Sequence, residues 1–552
     1  MKYLLSLLLV ASLLVACDNK PHYDPQAGLD SFTEAGFEKH LKQISSDEFM
    51  GRMPFTEGET KTLAYLEDEV KKLGLEPGNG TSYRQEVPMA SITTETDSVM
   101  TIKSSKKSFT LLGLKDYVIW TPQANQEKVE LKDEDIVFAG YGVVAPEYNW
   151  NDYEGIDVKD KVVLVLVNDP GFGIGDSTFF KGNTMTYYGR WTYKFEEAAR
   201  QGAKACIIVH DDVPAGYGFW VVQNSWNTSK LYLDARGKNQ YVCPAVGWMS
   251  QPSAKKLFEA ANIDYADALS RAHKRGFHGE PMNLKLSLSM TAKVKYDKSY
   301  NIVAKITGTT QPDEYLIYST HWDHLGIGKP DETGDTIYNG TLDNASGAAG
   351  QLEIAKAFQS LKNKPARTVV FLWVTAEEQG LLGSAYYAQN PVYPKAKTVA
   401  NINIDGVNPY GKNKDIVLVG MGQSDLEDYL NEEARRVGRY VAPEPNPVAG
   451  YYFRSDHFSF AKIGIPALYT NDGVDNIEKG AEYGKQVQNE FVSKYYHKPS
   501  DEYDSARWKL DGSLEDLKLL FNVGKKISME STWPQWKSAS EFKAIRDSYM
   551  PK

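Results

Sequence analysis

The chain has 552 residues, of which 42% are apolar and 24% charged, and this composition excludes disordered, fibrous and disulfide-stapled small proteins. The length predicts two to four domains with well-formed apolar cores. Sixty-two Lys and Arg residues stand against 72 Asp and Glu residues, and the resulting net charge of −10 repels phosphate backbones, so nucleic acid is not an expected partner.

The N-terminal segment has the pattern of a secretory signal. Residues 1–16 combine Lys2 with an apolar run that is too short to cross a bilayer of about 30 Å. The run ends at Cys17 in a pattern that resembles the lipobox of bacterial lipoproteins. We therefore expect a signal peptide over 1–16, lipidation of Cys17, a polar tether over 17–30, and membrane anchoring in a bacterial cell envelope, facing the periplasm or the cell surface. An ordinary cleaved signal with an incidental Cys is the alternative.

The first part of the remaining chain mixes one helical region with strands. Leu63, Leu66 and Val70 recur at helical spacing in a region, 37–74, that stops at Gly74. Further on, a strand at 162–167, a helix at 193–201 and a strand at 205–209 predict a βαβ-like unit in a middle domain. Three glycines between the first strand and the helix do not fit a dinucleotide-binding fingerprint and indicate a loop.

Two cysteines remain besides Cys17, and both lie in apolar runs. Cys206 and Cys243 could form a disulfide in an oxidising compartment or remain as buried thiols. The sequence leaves both possibilities open.

The second half of the chain alternates buried strands with helices. Apolar runs at 316–318, 369–374 and 399–404 predict strands that are buried on both faces, and helical patterns at 345–361 and 380–389 separate them. Ser513 is a candidate cap for a last helix, which carries apolar residues along one side. The alternation predicts an α/β fold with helices on both faces of the sheet, and strands at 284–304 lead into it.

Metal-capable residues follow each of the three buried strands. His321 ends the first strand, Glu377 and Glu378 follow the second, and Asp405 follows the third. Because ligands bind at the carboxyl ends of strands in open α/β sheets, we expect these side chains to meet at one edge. Imidazole and carboxylate groups together suit zinc. No short zinc signature is present, so the ligands must come from distant segments.

These residues resemble the ordered motifs of the co-catalytic di-zinc aminopeptidases, a family that includes aminopeptidase Y and the glutamate carboxypeptidase II group. The resemblance covers about residues 40–90 and 295–530, and its motifs are His321-Trp322-Asp323, Asp343-Asn344-Ala345-Ser346-Gly347, Glu377-Glu378-Gln379-Gly380, Asp405-Gly406 and Tyr496-His497.

The resemblance implies the architecture and the domain boundaries. It implies a three-layer α/β/α sandwich with a mixed sheet, formed by residues 31–115 and 286–552. It also implies that residues 116–285 form an inserted, β-rich protease-associated domain, which we expect to overhang the site.

The resemblance further implies two Zn²⁺ ions. His321 and Asp405 would hold one ion, Glu378 and His497 the other, and Asp343 would bridge both. Every ligand type that the family uses is present in this chain.

The resemblance assigns roles to other residues as well. Glu377 would act as the general base, Asp323 would accept the second N–H of His321, Tyr496 would donate to the oxyanion, and Arg454 would reach the substrate backbone. The family also implies a cis-type peptide bond between Asp343 and Asn344. His324 and His457 match no ligand position, and we expect structural hydrogen bonds from both.

The predicted function is that of a zinc aminopeptidase, which removes N-terminal residues from peptides outside the cytoplasm. A carboxypeptidase or dipeptidase of the same family would need clustered arginines to bind a C-terminal carboxylate, and the sequence near Arg454 shows no such cluster. A non-catalytic binding protein would have lost ligands that this chain retains. A single-zinc glutaminyl cyclase would lack His321.

Overall fold

The computed structural model describes residues 24–225, 229–236 and 242–550. The predicted signal peptide, Cys17 and the first part of the predicted tether lie outside these ranges. Among the described residues, no helix has the length and apolar character needed to cross a bilayer. The end of the predicted tether is helical at Gln26–Leu29, and Gly28 is buried against Phe521, so the segment packs on the protein before residue 30.

The fold is a mixed α/β structure in which short strands alternate with helices. The helices of the described residues are Gln26–Leu29, Glu34–Ile44, Glu57–Lys72, Trp191–Arg200, Asp212–Ala215, Phe219–Ser225, Gln251–Ala260, Tyr265–Ala272, Ser346–Ser360, Leu382–Gln389, Leu426–Arg436, His457–Lys462, Gly480–Lys494, Leu510–Met529 and Lys543–Asp547. The strands are Glu76–Pro77, Arg84–Thr96, Val99–Lys103, Ser108–Leu112, Tyr117–Trp120, Lys128–Phe138, Val144–Ala145, Trp150–Asn151, Val162–Leu166, Ala205–His210, Lys230–Leu233, Ala245–Ser250, Glu280–Ile306, Gln311–His321, Gly326–Ile327, Ile337–Tyr338, Arg367–Val374, Thr398–Asn403, Asp415–Leu418, Tyr440–Pro443 and Ala467–Asn471.

The centre of the second half is a sheet with parallel inner strands. Gln311–His321 runs parallel to Arg367–Val374 on one side and to Thr398–Asn403 on the other. Ala467–Asn471 continues the parallel order, whereas the end of Glu280–Ile306 joins Arg367–Val374 antiparallel. The sheet is therefore mixed, as expected.

Successive residues of these strands face two different apolar layers. In the first inner strand, Leu316 and Tyr318 pack among the residues of helices Ser346–Ser360 and Leu510–Met529, while Ile317 packs on the opposite face with Tyr387 and Phe460. Because strand side chains alternate between faces, an uninterrupted apolar run is what a sheet covered by helices on both sides requires. This confirms the α/β/α sandwich.

Two predictions about helices need correction. The region 37–74 is not one helix but two, Glu34–Ile44 and Glu57–Lys72, and the turn between them carries Met50 and Gly51 with positive φ. Ser513 does not cap the helix Leu510–Met529, which begins three residues before it. Ser513 lies within this helix, and its hydroxyl donates to the Asn408 carbonyl.

Residues between Met100 and Met290 form a second core of their own. Here Val162–Leu166 and Ala205–His210 pair in parallel, and the helix Trp191–Arg200 connects them, as the predicted βαβ unit requires. Met100 packs in this core, so the core begins upstream of residue 116, where we expected the domain boundary. Its assignment as a protease-associated domain stays a prediction.

One long strand connects the two cores. Glu280–Ile306 pairs first with Lys128–Phe138, then with Arg84–Thr96, and finally with Arg367–Val374 of the central sheet. The second core is thereby held against the sheet edge that carries the predicted site. Cys206 and Cys243 are both buried as free thiols in a separate apolar cluster that includes Val163 and Ile208, which decides the alternative that the sequence left open.

Candidate active site

The five predicted metal ligands converge at the carboxyl ends of the parallel strands. His321 is the last residue of Gln311–His321, and Asp405 follows Thr398–Asn403 by two residues. Asp343 lies just before helix Ser346–Ser360, and His497 follows helix Gly480–Lys494. The shared direction of the inner strands brings these distant segments to one edge, as their order in the sequence predicts.

Distances within the cluster divide it into two sets that share Asp343. His321 Nε2 lies 3.3 Å from Asp343 Oδ1 and 3.3 Å from Asp405 Oδ1. His497 Nε2 lies 3.2 Å from Asp343 Oδ2 and 3.1 Å from Glu378 Oε2. The two oxygens of Asp343 therefore face different histidines, which is the arrangement that a bridging ligand requires.

The chemistry of this donor set fits a divalent cation. Four carboxylates, those of Asp343, Glu377, Glu378 and Asp405, surround His321 and His497, so the site carries an excess of negative charge. His321, Glu377 and Asp405 can offer ligand atoms to one cation. His324, Asp343 and Glu378 can offer them to another. Imidazole nitrogen with carboxylate oxygen is a ligand set that zinc accepts.

The pKa shifts reflect the same excess of negative charge. Burial lowers the pKa of His497, but the charges of Glu378 and Asp343 outweigh burial and raise that pKa to about 10. Burial raises the pKa of Glu377 well above its usual range, and repulsion from Asp405 and Glu378 adds to the rise despite attraction from His321. Glu377 is therefore the carboxylate of this site that most readily holds a proton.

Glu377 and Glu378 lie in a turn that follows the strand Arg367–Val374. The strand ends at Val374, and Ala376 adopts a left-handed backbone with φ of 52°. Asp323 fixes this turn, because its carboxylate accepts hydrogen bonds from the backbone N–H of Glu377 at 3.0 Å and of Glu378 at 3.4 Å. The turn directs Glu377 toward His321 and Glu378 toward His497.

The predicted hydrogen bond from His321 to Asp323 goes to the backbone carbonyl of Asp323 rather than to its carboxylate. The Asp323 carboxylate lies 3.8 Å from His321 Nδ1, beyond hydrogen-bond distance. The backbone carbonyl of Asp323 lies 3.2 Å from the same nitrogen and accepts its hydrogen. The carbonyl can still fix the ring tautomer, since any acceptor at this nitrogen leaves Nε2 free for a metal.

Several buried residues that the sequence did not indicate hold the loop of Asp343, the predicted bridging ligand, in place. The peptide bond between Asp343 and Asn344 is cis, as the resemblance implies. The Asp501 carboxylate accepts hydrogen bonds from the backbone N–H groups of Leu342 and Asp343 at 3.1 and 3.2 Å. The Arg52 guanidinium donates to carbonyls on three segments around the site. Nothing in their local sequence distinguishes these residues from surface charges.

His324 and Ser455 donate hydrogen bonds to Glu378 and Asp405, the predicted ligands that do not bridge. His324 Nδ1 lies 2.6 Å from Glu378 Oε1, so the hydrogen bond that we expected from His324 goes to Glu378, a predicted metal ligand. The Ser455 hydroxyl donates to Asp405 Oδ2 at 2.5 Å. His457, by contrast, is packed between the rings of Tyr452 and Tyr469, and a hydrogen bond with the Tyr452 backbone partly opposes the lowering of its pKa by burial.

The predicted substrate-contacting residues lie on the open side of the cluster. The ring of Tyr496 stacks on that of His497 with 3.8 Å between the centroids, and Tyr496 is 44% exposed. The guanidinium of Arg454 lies 5.2 Å from the Tyr451 ring and 5.8 Å from the ring of Tyr217, which belongs to the second core. The roles of both residues stay predictions.

A second arginine, Arg190, joins Arg454 from the second core. Burial and repulsion from Arg454 lower the pKa of Arg190 to about 9, while Tyr217 and Glu377 oppose that shift. The Nε atoms of both arginines are buried without a hydrogen-bond partner. The sequence near Arg454 shows no arginine cluster because the partner lies more than 260 residues away and only the tertiary structure brings the two together.

The model of peptidase family M28 matches residues 301–521, the stretch that contains all five predicted ligands. We call residues 301–521 the M28 segment, because they resemble this family. This M28 segment also includes Glu377, Asp323, Arg454 and Tyr496. Arg190 lies outside it, in the second core.

Known proteins resemble parts or all of the chain. It is 25% identical over 361 residues to carboxypeptidase Q of Xenopus laevis, covering 64% of this chain and 60% of that protein. It is 29% identical over 228 residues to an aminopeptidase of Pseudomonas aeruginosa, covering 39% of each. The chain spans between 22% and 60% of the length of five curated relatives that it matches, so these alignments describe shared domains.

A solved structure shows the same fold over nearly the whole chain. The aminopeptidase from Aneurinibacillus sp. strain AM-1 is 19% identical, with a TM-score of 0.50 over 92% of this chain and 97% of that chain. The shared fold therefore extends beyond the M28 segment to the second core.

Proposed function

We propose that this protein is a zinc aminopeptidase that removes N-terminal residues from peptides. The observation that carries the proposal is the division of five ligands into two sets by Asp343, with each of its oxygens 3.2–3.3 Å from a different histidine. The match of the M28 segment to the model of a peptidase family and the name of the Pseudomonas aeruginosa relative support the same reaction.

Two zinc ions are the cofactors that this arrangement fits. His321, Asp405 and Asp343 Oδ1 would hold one ion, and His497, Glu378 and Asp343 Oδ2 the other. Zinc in such a site supplies Lewis acidity, which polarises the scissile carbonyl and lowers the pKa of the attacking water.

Glu377 would carry the proton in this reaction. It is not one of the five predicted ligands, and its carboxylate lies 4.0 Å from His321 Nε2, at the border of the cluster. A carboxylate whose pKa is raised by burial is suited to accept a proton from water and to return it to the leaving amine.

Residues on the open side of the site would bind the peptide. Tyr496 could donate its hydroxyl hydrogen to the developing oxyanion, and Arg454 and Arg190 could bind peptide carbonyl or carboxylate oxygens. The arginine pair also favours short peptides, whose C-terminal carboxylate would lie near the reacting bond, and it is the observation that keeps a dipeptidase or carboxypeptidase as the second candidate. A purely binding protein would not need Glu377.

Exchange of Glu377 tests the proposed function. Glu377→Gln should lower kcat on an aminoacyl anilide by about 10²- to 10⁴-fold, because the proton acceptor is lost, while the zinc content stays near wild type. The exposed Glu332→Gln is a matched control and should retain activity. Loss of zinc in Glu377→Gln would mean that the roles of Glu377 and Glu378 are reversed. Equal hydrolysis of free and N-acetylated anilides by wild type would contradict an aminopeptidase.

We also propose that the enzyme acts outside the cytoplasm, anchored to a membrane of a bacterial cell envelope through lipid on Cys17. The support is the sequence pattern alone: Lys2, the short apolar run that follows it, and the small residue before Cys17. Peptides that reach the periplasm or the cell surface would be the substrates.

A further inference from the structure

The carboxylates of Glu378 and Asp405 share one arrangement. In each, one oxygen faces a predicted histidine ligand and the other accepts a hydrogen bond. In Glu378, Oε2 lies 3.1 Å from His497 Nε2, and Oε1 lies 2.6 Å from His324 Nδ1. The donor therefore occupies the oxygen that Glu378 would need for two-oxygen binding of a metal.

The same pattern recurs at Asp405 with a different donor. Asp405 Oδ1 lies 3.3 Å from His321 Nε2, and Oδ2 accepts the Ser455 hydroxyl at 2.5 Å. Asn403 Nδ2 donates to the Ser455 oxygen at 2.7 Å, so the single hydroxyl hydrogen of Ser455 is directed at Asp405. Ser455 is therefore a fixed donor.

His324 is also fixed by its surroundings. Its side chain is fully buried, and its ring lies against Gly340, where an added Cβ would approach the ring to 2.4 Å. Its ring also contacts that of His497 edge-on, with 5.8 Å between the centroids. The ring is therefore enclosed beside Glu378, and its hydrogen bond is a built feature of the site.

We propose that His324 and Ser455 are positioning residues that hold Glu378 and Asp405 as single-oxygen ligands, and that each therefore controls the affinity of one metal ion. The proposal rests on the proposed two-metal site. Donors behind metal ligands orient them and raise their affinity for the ion, and their removal typically weakens metal binding about 10- to 100-fold. Here the two donors act on different ions, because Glu378 and Asp405 belong to different sets.

A titration of the metal-free, full-length protein with Zn²⁺ against a chromophoric chelator tests this proposal. Wild type should bind two equivalents. His324→Ala should weaken one equivalent about 10- to 100-fold, Ser455→Ala should weaken the other, and the double variant should weaken both. His324→Gln, which keeps an amide donor, should recover part of the affinity that His324→Ala loses. The exposed His278→Ala and Ser493→Ala are matched controls.

Three results would overturn the proposal. Both single variants could weaken the same equivalent, either could bind both ions within threefold of wild type, or His324→Gln could bind as poorly as His324→Ala, as expected if His324 were itself a ligand. Circular dichroism of the metal-free variants identifies misfolding, and His324→Gln then remains as the test of the site. Failure of the proposed function would show differently, because wild type itself would bind fewer than two equivalents or would hydrolyse no anilide.

Discussion

Arg52 connects the first helices to the metal-ligand loops, and its exchange gives a sharp test of how the site is held. The side chain is fully buried, and its guanidinium donates to the carbonyls of Trp322 at 2.8 Å, Ile44 at 3.0 Å, Asn339 at 2.5 Å and Gly340 at 2.9 Å. Its charge also faces the acidic cluster, because Asp323 and Asp501 oppose the lowering of the Arg52 pKa by burial. Arg52→Met keeps most of the apolar stem and removes every donor.

The expected loss of stability follows from the four carbonyls. The Gly340 carbonyl keeps a hydrogen bond from the backbone N–H of Ala345 at 3.0 Å. Each of the other three buried acceptors loses its partner at a cost of about 1 kcal/mol, the low end of the usual range, so the three together cost about 3 kcal/mol. Removing a buried cation recovers some desolvation energy, but breaking a buried charged network still typically costs about 3–5 kcal/mol. We therefore expect the free energy of unfolding to fall by about 3 kcal/mol in Arg52→Met.

Urea denaturation with excess chelator measures this loss without a contribution from bound metal. Arg52→Lys should lose nearly as much, because one ammonium cannot reach four carbonyls arranged for a planar guanidinium. The exposed Arg435→Met should stay within about 0.5 kcal/mol of wild type. A loss below about 1 kcal/mol in Arg52→Met would refute the reasoning, because the carbonyls would then find other partners at no cost.

Two further predictions concern pH and substrate choice. Burial lowers the pKa of His457 to about 3, so the folded protein keeps this ring neutral while the unfolded chain binds a proton below pH 6.5. Stability should therefore fall on acidification, by about 2 kcal/mol between pH 7 and pH 5 from this group alone, and urea curves of His457→Gln should show that much less dependence; an equal dependence would contradict the neutral ring. The second prediction concerns Arg190, whose exchange to Gln should lower the ratio of kcat/KM for Leu-Leu over Leu-Leu amide about tenfold, because a carboxylate loses one of two guanidinium partners. A ratio equal to that of wild type would show that Arg190 does not meet the C-terminal carboxylate.

The sequence predicted the central sheet because burial on two faces leaves a direct mark. Only a strand covered by helices on both sides can be apolar at every position, and Leu316 to Tyr318 and Val369 to Val374 show this pattern. The helix boundaries were less accurate, since the turn at Met50 and Gly51 depends on backbone conformations that residue type does not announce. The helix Leu510–Met529 likewise begins before Ser513, its predicted cap.

The sequence also indicated which residues would meet at one edge of the sheet. Strand ends pointed to His321, Glu377, Glu378 and Asp405, and the family resemblance added Asp343 and His497. Only the tertiary structure decided what stands behind them. His324 against Glu378, Ser455 against Asp405, Asp501 against the Asp343 loop and Arg190 beside Arg454 are contacts between distant segments. A hydrogen bond depends on the distance and angle between two groups, and those depend on the packing of the whole chain around them.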